Sequence, residues 1–283
     1  MDYTLNIKGQ LVDLQEPLVM GILNVTPDSF YAASRQQTET EIAARANQII
    51  AEGGTMIDIG ACSTRPGAEL ASEAEETERL RMALAVVRSE QPDSIVSVDT
   101  FRPNVARMAV EEFGADIIND VGGSANTHHP SSITQTDMFR LVAKMGVPYI
   151  YMSSKPTLHE ILLDFAESVQ QLRDMGQKDI ILDPGFGFGK TLEQNYGLLQ
   201  ELERLQVMEL PILVGLSRKS MIYKLLDSTP ADALNGTTAL HAVALMKGAS
   251  ILRVHDVREA VECCRLMSQL KPLSVQETPN NKS

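Results

Sequence analysis

Three side chains able to accept paired hydrogen bonds lie far apart in this chain, each near the end of an apolar run. Asp99 falls in "IVSVDT" (95–100), Asn119 in "DIINDV" (116–121) and Asp183 in "IILDPG" (180–185). Brought together, they suit a flat heterocycle with an amidine-like N–H edge. A carboxylate accepts two parallel N–H bonds, and the amide reads a neighbouring donor–acceptor pair. Other segments end in cations and hydroxyls. Thr64 and Arg65 follow "MIDIGA" (56–61), Ser217, Arg218 and Lys219 close "ILVGLSR" (212–218) and its continuation, and Arg253 and His255 sit in "ILRVHD" (251–256). Asn24 ends "LVMGILNV" (18–25). Arg253 can stack on a ring and still reach an anion. Arg65, Arg253 and His255 can hold a diphosphate. The residues alone thus assemble, loosely, a ring carrying a diphosphate.

Competing readings exist for each. An aspartate after a strand is commonly a helix N-cap, and for Asp99 or Asp183 taken singly capping competes on equal terms. The joint pattern exceeds what capping needs. Asp58 and Asp120 read at least as well as buried, hydrogen-bonded structural groups. "ILDPGFGFGKT" (181–191) looks like a phosphate loop but misses both standard patterns, with Pro184 and Lys190 where glycines are required. The His128–His129 pair lacks an acidic partner at ligand spacing and reads as a solvated loop.

Eight apolar runs must position these groups: the seven above, together with "PYIYMSS" (148–154), interleave with helical segments. The segment "ETEIAARANQIIAEGG" puts Ile42, Ala46, Ile49 and Ile50 on one face, and "EAEETERLRMALAVVRSE" stripes Leu80, Leu84 and Val87 with acids in its first turn. Further helices are expected near 103–113, 135–145, 158–175, 192–206, 233–247 and 256–270. Near-continuous apolar runs read as buried parallel strands. Eight strand–helix units predict an α/β fold, a (β/α)8 TIM barrel whose strand ends gather at one mouth. An open doubly wound sheet is the runner-up, but "NVTPDSF" lacks its Gly-rich turn. Residues 1–17 are expected to form an N-terminal hairpin around Lys8-Gly9 that plugs the barrel bottom, 18–271 the barrel, and 272–283 a frayed tail.

The 283 residues are 43% hydrophobic with a net charge of −12, which suits a globular protein and argues against nucleic acid or anionic lipid as partner. An anionic substrate then requires a local cluster of positive side chains, with Arg65, Lys219, Arg253 and His255 as candidates. No stretch approaches the ~18 apolar residues of a membrane span. The start lacks the features of a secretory signal, and the three cysteines make no metal or redox spacing, so a cytoplasmic location is expected.

The motifs "GILNVTPDSF" (21–30), "STRPGAE" (63–69), "SVDT" (97–100), "NDVGG" (119–123), "LDPGFGFGK" (182–190), "GLSRKS" (215–220) and "RVHD" (253–256) follow in order. On them the chain resembles the dihydropteroate synthases of the pterin-binding enzyme family, from about Met20 to about Glu259. The resemblance implies condensation of (7,8-dihydropterin-6-yl)methyl diphosphate with 4-aminobenzoate, releasing diphosphate. By position, it assigns Asp99, Asn119, Asp183, Lys219 and Arg253 to the pterin, and Thr64, Arg253 and His255 to the diphosphate. It assigns Arg65, Pro66, Phe188, Ser217 and Lys219 to the aminobenzoate, and Asn24 to Mg²⁺. Asp99, Asp183 and Lys219 would be catalytic. It also implies loops 26–36 and 61–70 that close, a homodimer through outer helices, and competition by sulfonamides, whose arylamine mimics aminobenzoate. Phe186 reads as packed core.

The chain departs from the family pattern in "YAASR" after "PDSF", in Cys62 before "STRPG", and in Met152-Ser153-Ser154 at strand five. These touch loop contacts and one wall of the pocket. Methyltetrahydrofolate–corrinoid methyltransferases share the barrel and would keep the Asp–Asn–Asp readers, but should lack "STRPG" and "SRKS". A non-catalytic pterin-binding barrel is the third reading.

Overall fold

Parallel strands covered on both faces need apolar residues at successive positions, and here they alternate between two cores. The computed structural model describes residues 3–25, 35–62, 71–121 and 135–270. An antiparallel pair, β1 (Thr4–Ile7) and β2 (Gln10–Asp13), leads into β3 (Leu18–Asn24) and α1 (Arg35–Ala51). β4 (Met56–Gly60), α2 (Glu73–Glu90), β5 (Ile95–Asp99), α3 (Pro103–Phe113), β6 (Ile117–Asp120) and α4 (Gln135–Met145) follow. Next come β7 (Tyr149–Met152), α5 (Leu158–Asp174), β8 (Ile180–Asp183), α6 (Leu192–Gln200) and β9 (Leu213–Val214). The chain continues with α7 (Ser220–Tyr223), α8 (Leu234–Met246), β10 (Ile251–Val254) and α9 (Val257–Ser268).

The larger sheet runs β8-β7-β6-β5-β4-β3-β10-β9, each pair parallel. A parallel bridge between Leu182 and Ile212, with Leu182 N–H donating to the Pro211 carbonyl at 2.9 Å, joins the two edge strands. The sheet is thereby the expected eight-stranded barrel. Helix starts are set locally. Ser72 with Glu75, Thr157 with Glu160 and Thr191 with Gln194 form capping boxes at α2, α5 and α6. No helix among the described residues is long and apolar enough to cross a membrane.

The hairpin is where the sequence places it. Lys8 (φ 50) and Gly9 (φ 81) make a left-handed two-residue turn. Leu5, Ile7 and Leu14 close the barrel bottom against Met20, Met56, Ile117, Ile150, Ile181, Leu213 and Ile251.

Two expected elements differ. The seventh strand was expected over 212–218 but holds only Leu213–Val214. The backbone turns after it: Lys219 N–H donates to the Leu216 carbonyl at 3.2 Å, and Arg218 adopts φ 53. That left-handed residue is held by the Thr237 hydroxyl and by a two-point ion pair with Asp256, each bond 2.8 Å. Tertiary anchoring thus ends the strand and turns Ser217 and Lys219 toward the mouth. The helix expected over 192–206 ends at Gln200 and gives way to a 3₁₀ segment, Leu202–Met208. Its buried leucines, Leu202 and Leu205, are spaced for three residues per turn.

Candidate active site

Counting by twos along each strand gives the inward-facing positions. The lowest inward layer is the apolar plug floor. Two residues on, the chemistry changes: Asp58 follows Met56, Asn119 follows Ile117, Asp183 follows Ile181, Arg253 follows Ile251, and Ser97 follows Ile95. Asn24, Gly60, Asp99 and Asn119 stand in register across β3, β4, β5 and β6. A Cβ at Gly60 would lie 3.5 Å from both Asn24 Oδ1 and Asp99 Cβ, so the glycine leaves the space between them open.

Asp58 is fully buried and is the hub of this layer. It accepts from Ser97 Oγ at 2.6 Å, Arg253 Nε at 2.6 Å, and Asn119 Nδ2 at 3.1 and 3.3 Å. Arg253 Nη2 also donates to Asp99 at 2.9 Å. Asn119 is fully buried, and its Oδ1 has no hydrogen-bond partner among the described residues. Because Nδ2 must face the Asp58 carboxylate, the amide cannot flip, and Oδ1 is left as an open acceptor. Asp183 accepts the Gly185 N–H at 2.8 Å.

Lys219 precedes α7. Its ammonium donates to the Phe186 carbonyl and lies 4.4 Å from the centre of the Phe188 ring. Ser217 Oγ is 3.1 Å from His255 Nδ1 and accepts the His255 backbone N–H at 3.2 Å. Arg45 from α1 donates to the His255 carbonyl at 2.7 Å. Phe186 is fully buried core, as read from the sequence.

Burial is the largest influence on Asp99, Asp183, Lys219 and His255. It pushes Asp99 up to about 8, with Arg253 opposing and Asp58, Glu76 and Asp120 adding repulsion. It raises Asp183 against the opposing pull of Lys219 and the Gly185 N–H. It lowers Lys219 to about 7, with Asp183 resisting. Burial works against the Arg253 charge as well, but Asp58 and Asp99 hold that guanidinium above its usual range. His255 is lowered to about 4 by burial and then by Arg253.

In the described part of the mouth the expected cations stand among acids. Arg253 pairs with Asp58 and Asp99, Lys219 faces Asp183, and burial holds the His255 imidazole well below its ordinary value.

The histidine shift gives a pH prediction. His255 and the buried His241 both stand near 4 against an ordinary 6.5. Between those values the unfolded chain takes up protons that the folded one refuses, so stability falls as pH drops from 6.5 to 4. His255→Asn is expected to flatten part of that fall in thermal midpoint, and His241→Asn a further part. An unchanged slope in the His255 variant would mean that the imidazole is charged in the fold.

Thr64, Arg65 and Pro66 lie outside the described residues, as do loop 26–34, His128, His129 and the tail from 272; of the other expected loop, 61–70, only Ala61 and Cys62 are described. The backbone on either side of 63–70 is gripped by charged side chains. Arg79 donates to the Ala61 carbonyl at 3.3 Å, and Arg102 to the Ala71 carbonyl at 2.6 Å. Arg102 is itself paired with the fully buried Glu76, which also accepts from Thr100 at 2.6 Å.

Asp58 and Asp120 both take the buried, hydrogen-bonded role read for them from the sequence, since a carboxylate inside "MIDIG" cannot be buried unpaired. Asp120 accepts from the Tyr149 hydroxyl at 2.7 Å.

The profile of the family described as pterin binding enzyme matches residues 20–255. The dihydropteroate synthase of Escherichia coli (strain K12) is 38% identical over 275 residues, covering 92% of this chain and 94% of that one. The structure of Xanthomonas albilineans dihydropteroate synthase with 4-aminobenzoic acid superposes with a TM-score of 0.85 at 33% identity, covering 97% of this chain and all of that one. A Coxiella burnetii dihydropteroate synthase in complex with pteroic acid gives 0.81 at 32% identity, covering 95% and 98%. With the barrel and these relatives in agreement, the chain belongs to the pterin-binding enzyme family, in its dihydropteroate synthase branch.

Proposed function

We propose that the protein joins (7,8-dihydropterin-6-yl)methyl diphosphate to 4-aminobenzoate, giving 7,8-dihydropteroate and diphosphate in folate biosynthesis. The observation that carries this reading is the buried Asn119 Oδ1, open among the described residues and in register with Asp99 across β6 and β5. A ligand filling that layer must offer several N–H donors in one plane, as the aminopyrimidinone edge of a pterin does. The Arg253 guanidinium and the Lys219 ammonium stand beside those acceptors.

The bond between the methylene carbon and the diphosphate oxygen breaks first, its electron pair leaving with the diphosphate. The carbon's positive charge spreads into the dihydropterin ring, where Asp99 and Asp183 favour it. The aromatic amine then gives its lone pair to the carbon, a C–N bond forms, and one amine proton passes to solvent. The Phe188 ring lies against the Lys219 ammonium, and we assign the aminobenzoate to this wall, with Ser217 added on the family resemblance. His255, a neutral imidazole, donates a hydrogen bond to the diphosphate rather than a full charge. We assign Thr64, Arg65 and Pro66 to the anion and aminobenzoate contacts on the family resemblance.

Among the described residues no three acidic, histidine or cysteine side chains gather to hold a metal by themselves. Asn24 offers a single oxygen at the rim. That donor set fits Mg²⁺ arriving on the diphosphate, because this ion keeps waters and phosphate oxygens among its ligands. Once bound, it would neutralise charge on the departing diphosphate.

The test mixes purified protein, Mg²⁺, the pterin diphosphate and 4-aminobenzoate. Coupled product and diphosphate are expected in equal amounts, with sulfonamides inhibiting and added aminobenzoate relieving them. Methyl transfer from a methylated pterin to a corrinoid, or pterin binding without coupling, would overturn the proposal.

We further propose a cytoplasmic homodimer through α8 and α9. Val243 and Met246 on α8 and Leu266 on α9 are exposed, as are Leu225 and Leu226 just after α7, and exposed apolar residues of this kind mark interaction surfaces when they cluster. Met246→Glu is expected to convert the dimer to a monomer in sedimentation velocity. A monomeric parent protein would sink this assignment.

A further inference from the structure

The turn that resembles a phosphate loop has reversed polarity. In a phosphate loop, backbone N–H groups converge on an anion. Here Gly185, Gly187 and Gly189 take φ 69, 81 and 63, and the carbonyls between and beside them converge on two ammonium groups. Lys190 Nζ donates to the Gly185 carbonyl at 2.9 Å and to the Phe188 and Ser153 carbonyls at 3.4 Å. Lys219 takes the Phe186 carbonyl. The N–H groups of the turn are used internally: Phe188 N–H donates to Gly185 at 3.1 Å, and Gly187 N–H to Asn195 Oδ1 at 2.7 Å. Asn195 also donates to the Thr191 carbonyl at 2.7 Å, tying the turn to the start of α6.

Lys190 therefore stitches the end of β7, through Ser153, to the turn that carries Phe188. The fit is tight: a Cβ at Gly185 would come within 2.2 Å of the Ser153 carbonyl oxygen and 3.3 Å of Lys190 Nζ. This is also where the chain reads Met152-Ser153-Ser154. We propose that Lys190 is a positioning residue for the arylamine substrate, acting through the carbonyls of the 185–189 turn to fix the Phe188 ring against the Lys219 ammonium. The proposal rests on the reaction inferred above. The effect should weigh on the aminobenzoate side: of the acid and amide readers of the pterin only Asp183, which accepts the Gly185 N–H, touches the stitched turn, while Asp99 and Asn119 stand on β5 and β6 outside it.

The experiment measures KM for each substrate in the wild type, Lys190→Met and Lys190→Arg. Lys190→Met is expected to raise the aminobenzoate KM by about tenfold, the scale of a lost buried charge-assisted hydrogen bond. The KM for the pterin diphosphate should stay within about twofold, and Lys190→Arg, which keeps donors for the carbonyls, should recover most of the loss. Equal rises for both substrates, or no rise for aminobenzoate, overturn the proposal. A double-mutant cycle supplies the second reading. Lys190→Met and Phe188→Ala act through one contact, so their effects on the aminobenzoate KM should fall short of adding, and full additivity overturns the proposal. Should Lys190→Met fail to fold, Lys190→Gln takes its place in both measurements, with the same outcomes deciding. If the wild type does not couple the substrates at all, it is the proposed reaction that fails, a result read before any variant is made.

Discussion

Replacing Asp183 by asparagine is expected to lower kcat/KM by about 100- to 1,000-fold, the range for losing one preorganised electrostatic contact to a charge-developing transition state. The substitution is nearly isosteric. The asparagine oxygen can still accept the Gly185 N–H now bonded at 2.8 Å, so the turn keeps its anchor. What changes is the other arm, where an acceptor becomes an NH₂ donor facing a ring edge that itself donates. The negative charge that favours the pterin cation and faces Lys219 is lost as well. Stability should not follow activity. Burial raises the Asp183 carboxyl above its ordinary 3.8, so its charged form costs the fold stability once the pH exceeds that value. A neutral side chain removes that cost, and the thermal midpoint at pH 7 is expected to hold or rise. The measurement pairs steady-state kinetics with calorimetry. A loss of activity under tenfold with an unchanged midpoint would show that Asp183 does not read the ring.

Most of the fold was legible because the signals were local or strictly periodic. The boundaries of α3 and α4 follow Pro103, Gly114 and an apolar stripe, and the hairpin turn follows Lys8-Gly9. The seventh strand was overread because "ILVGLSR" is apolar enough for a long strand. What ends it is Arg218, pinned by Asp256 and Thr237 from elements far along the chain. No window around residue 218 contains that information. In the site, the strand-end polar residues were found because each interrupts an apolar run. Their electrostatics were not. Sequence counts Arg253 and His255 as positive, whereas their charge depends on who is buried beside them. Asp58 and Asp99 consume the charge of Arg253, and desolvation removes that of His255. The glycine-rich turn shows the same limit in another form. Its composition suggests an anion cradle, and only the direction of its carbonyls, set by three left-handed glycines, reveals a cradle for ammonium groups.

The second large effect is expected at Asp58, which is completely buried and which we place beneath the ligand rather than against it. Asp58→Ala removes the acceptor for Arg253, Asn119 and Ser97 together, leaving a guanidinium half-paired in the barrel interior. Breaking a buried pair in this way costs about 3–5 kcal/mol of folding stability. Asp58→Asn is the more informative variant, because it fills the same space and keeps one acceptor for Ser97. Its new NH₂ group, in the place of Oδ2, faces both Arg253 Nε and Asn119 Nδ2, donor against donor. The guanidinium keeps its bond to Asp99, and the clash with Asn119 is relieved by rotating that amide half a turn, which presents NH₂ to the ligand where Oδ1 now stands. The ring edge then meets a donor in place of an acceptor, and kcat/KM for the pterin substrate should fall by about 100-fold, equivalent to two buried hydrogen bonds. Asn119→Ala removes the same acceptor directly. If Asp58 acts by orienting Asn119, the double variant should be little worse than either single one. Additive losses would mean that Asp58 serves the fold alone, and that the orientation of the Asn119 amide is set by something other than the carboxylate beneath it.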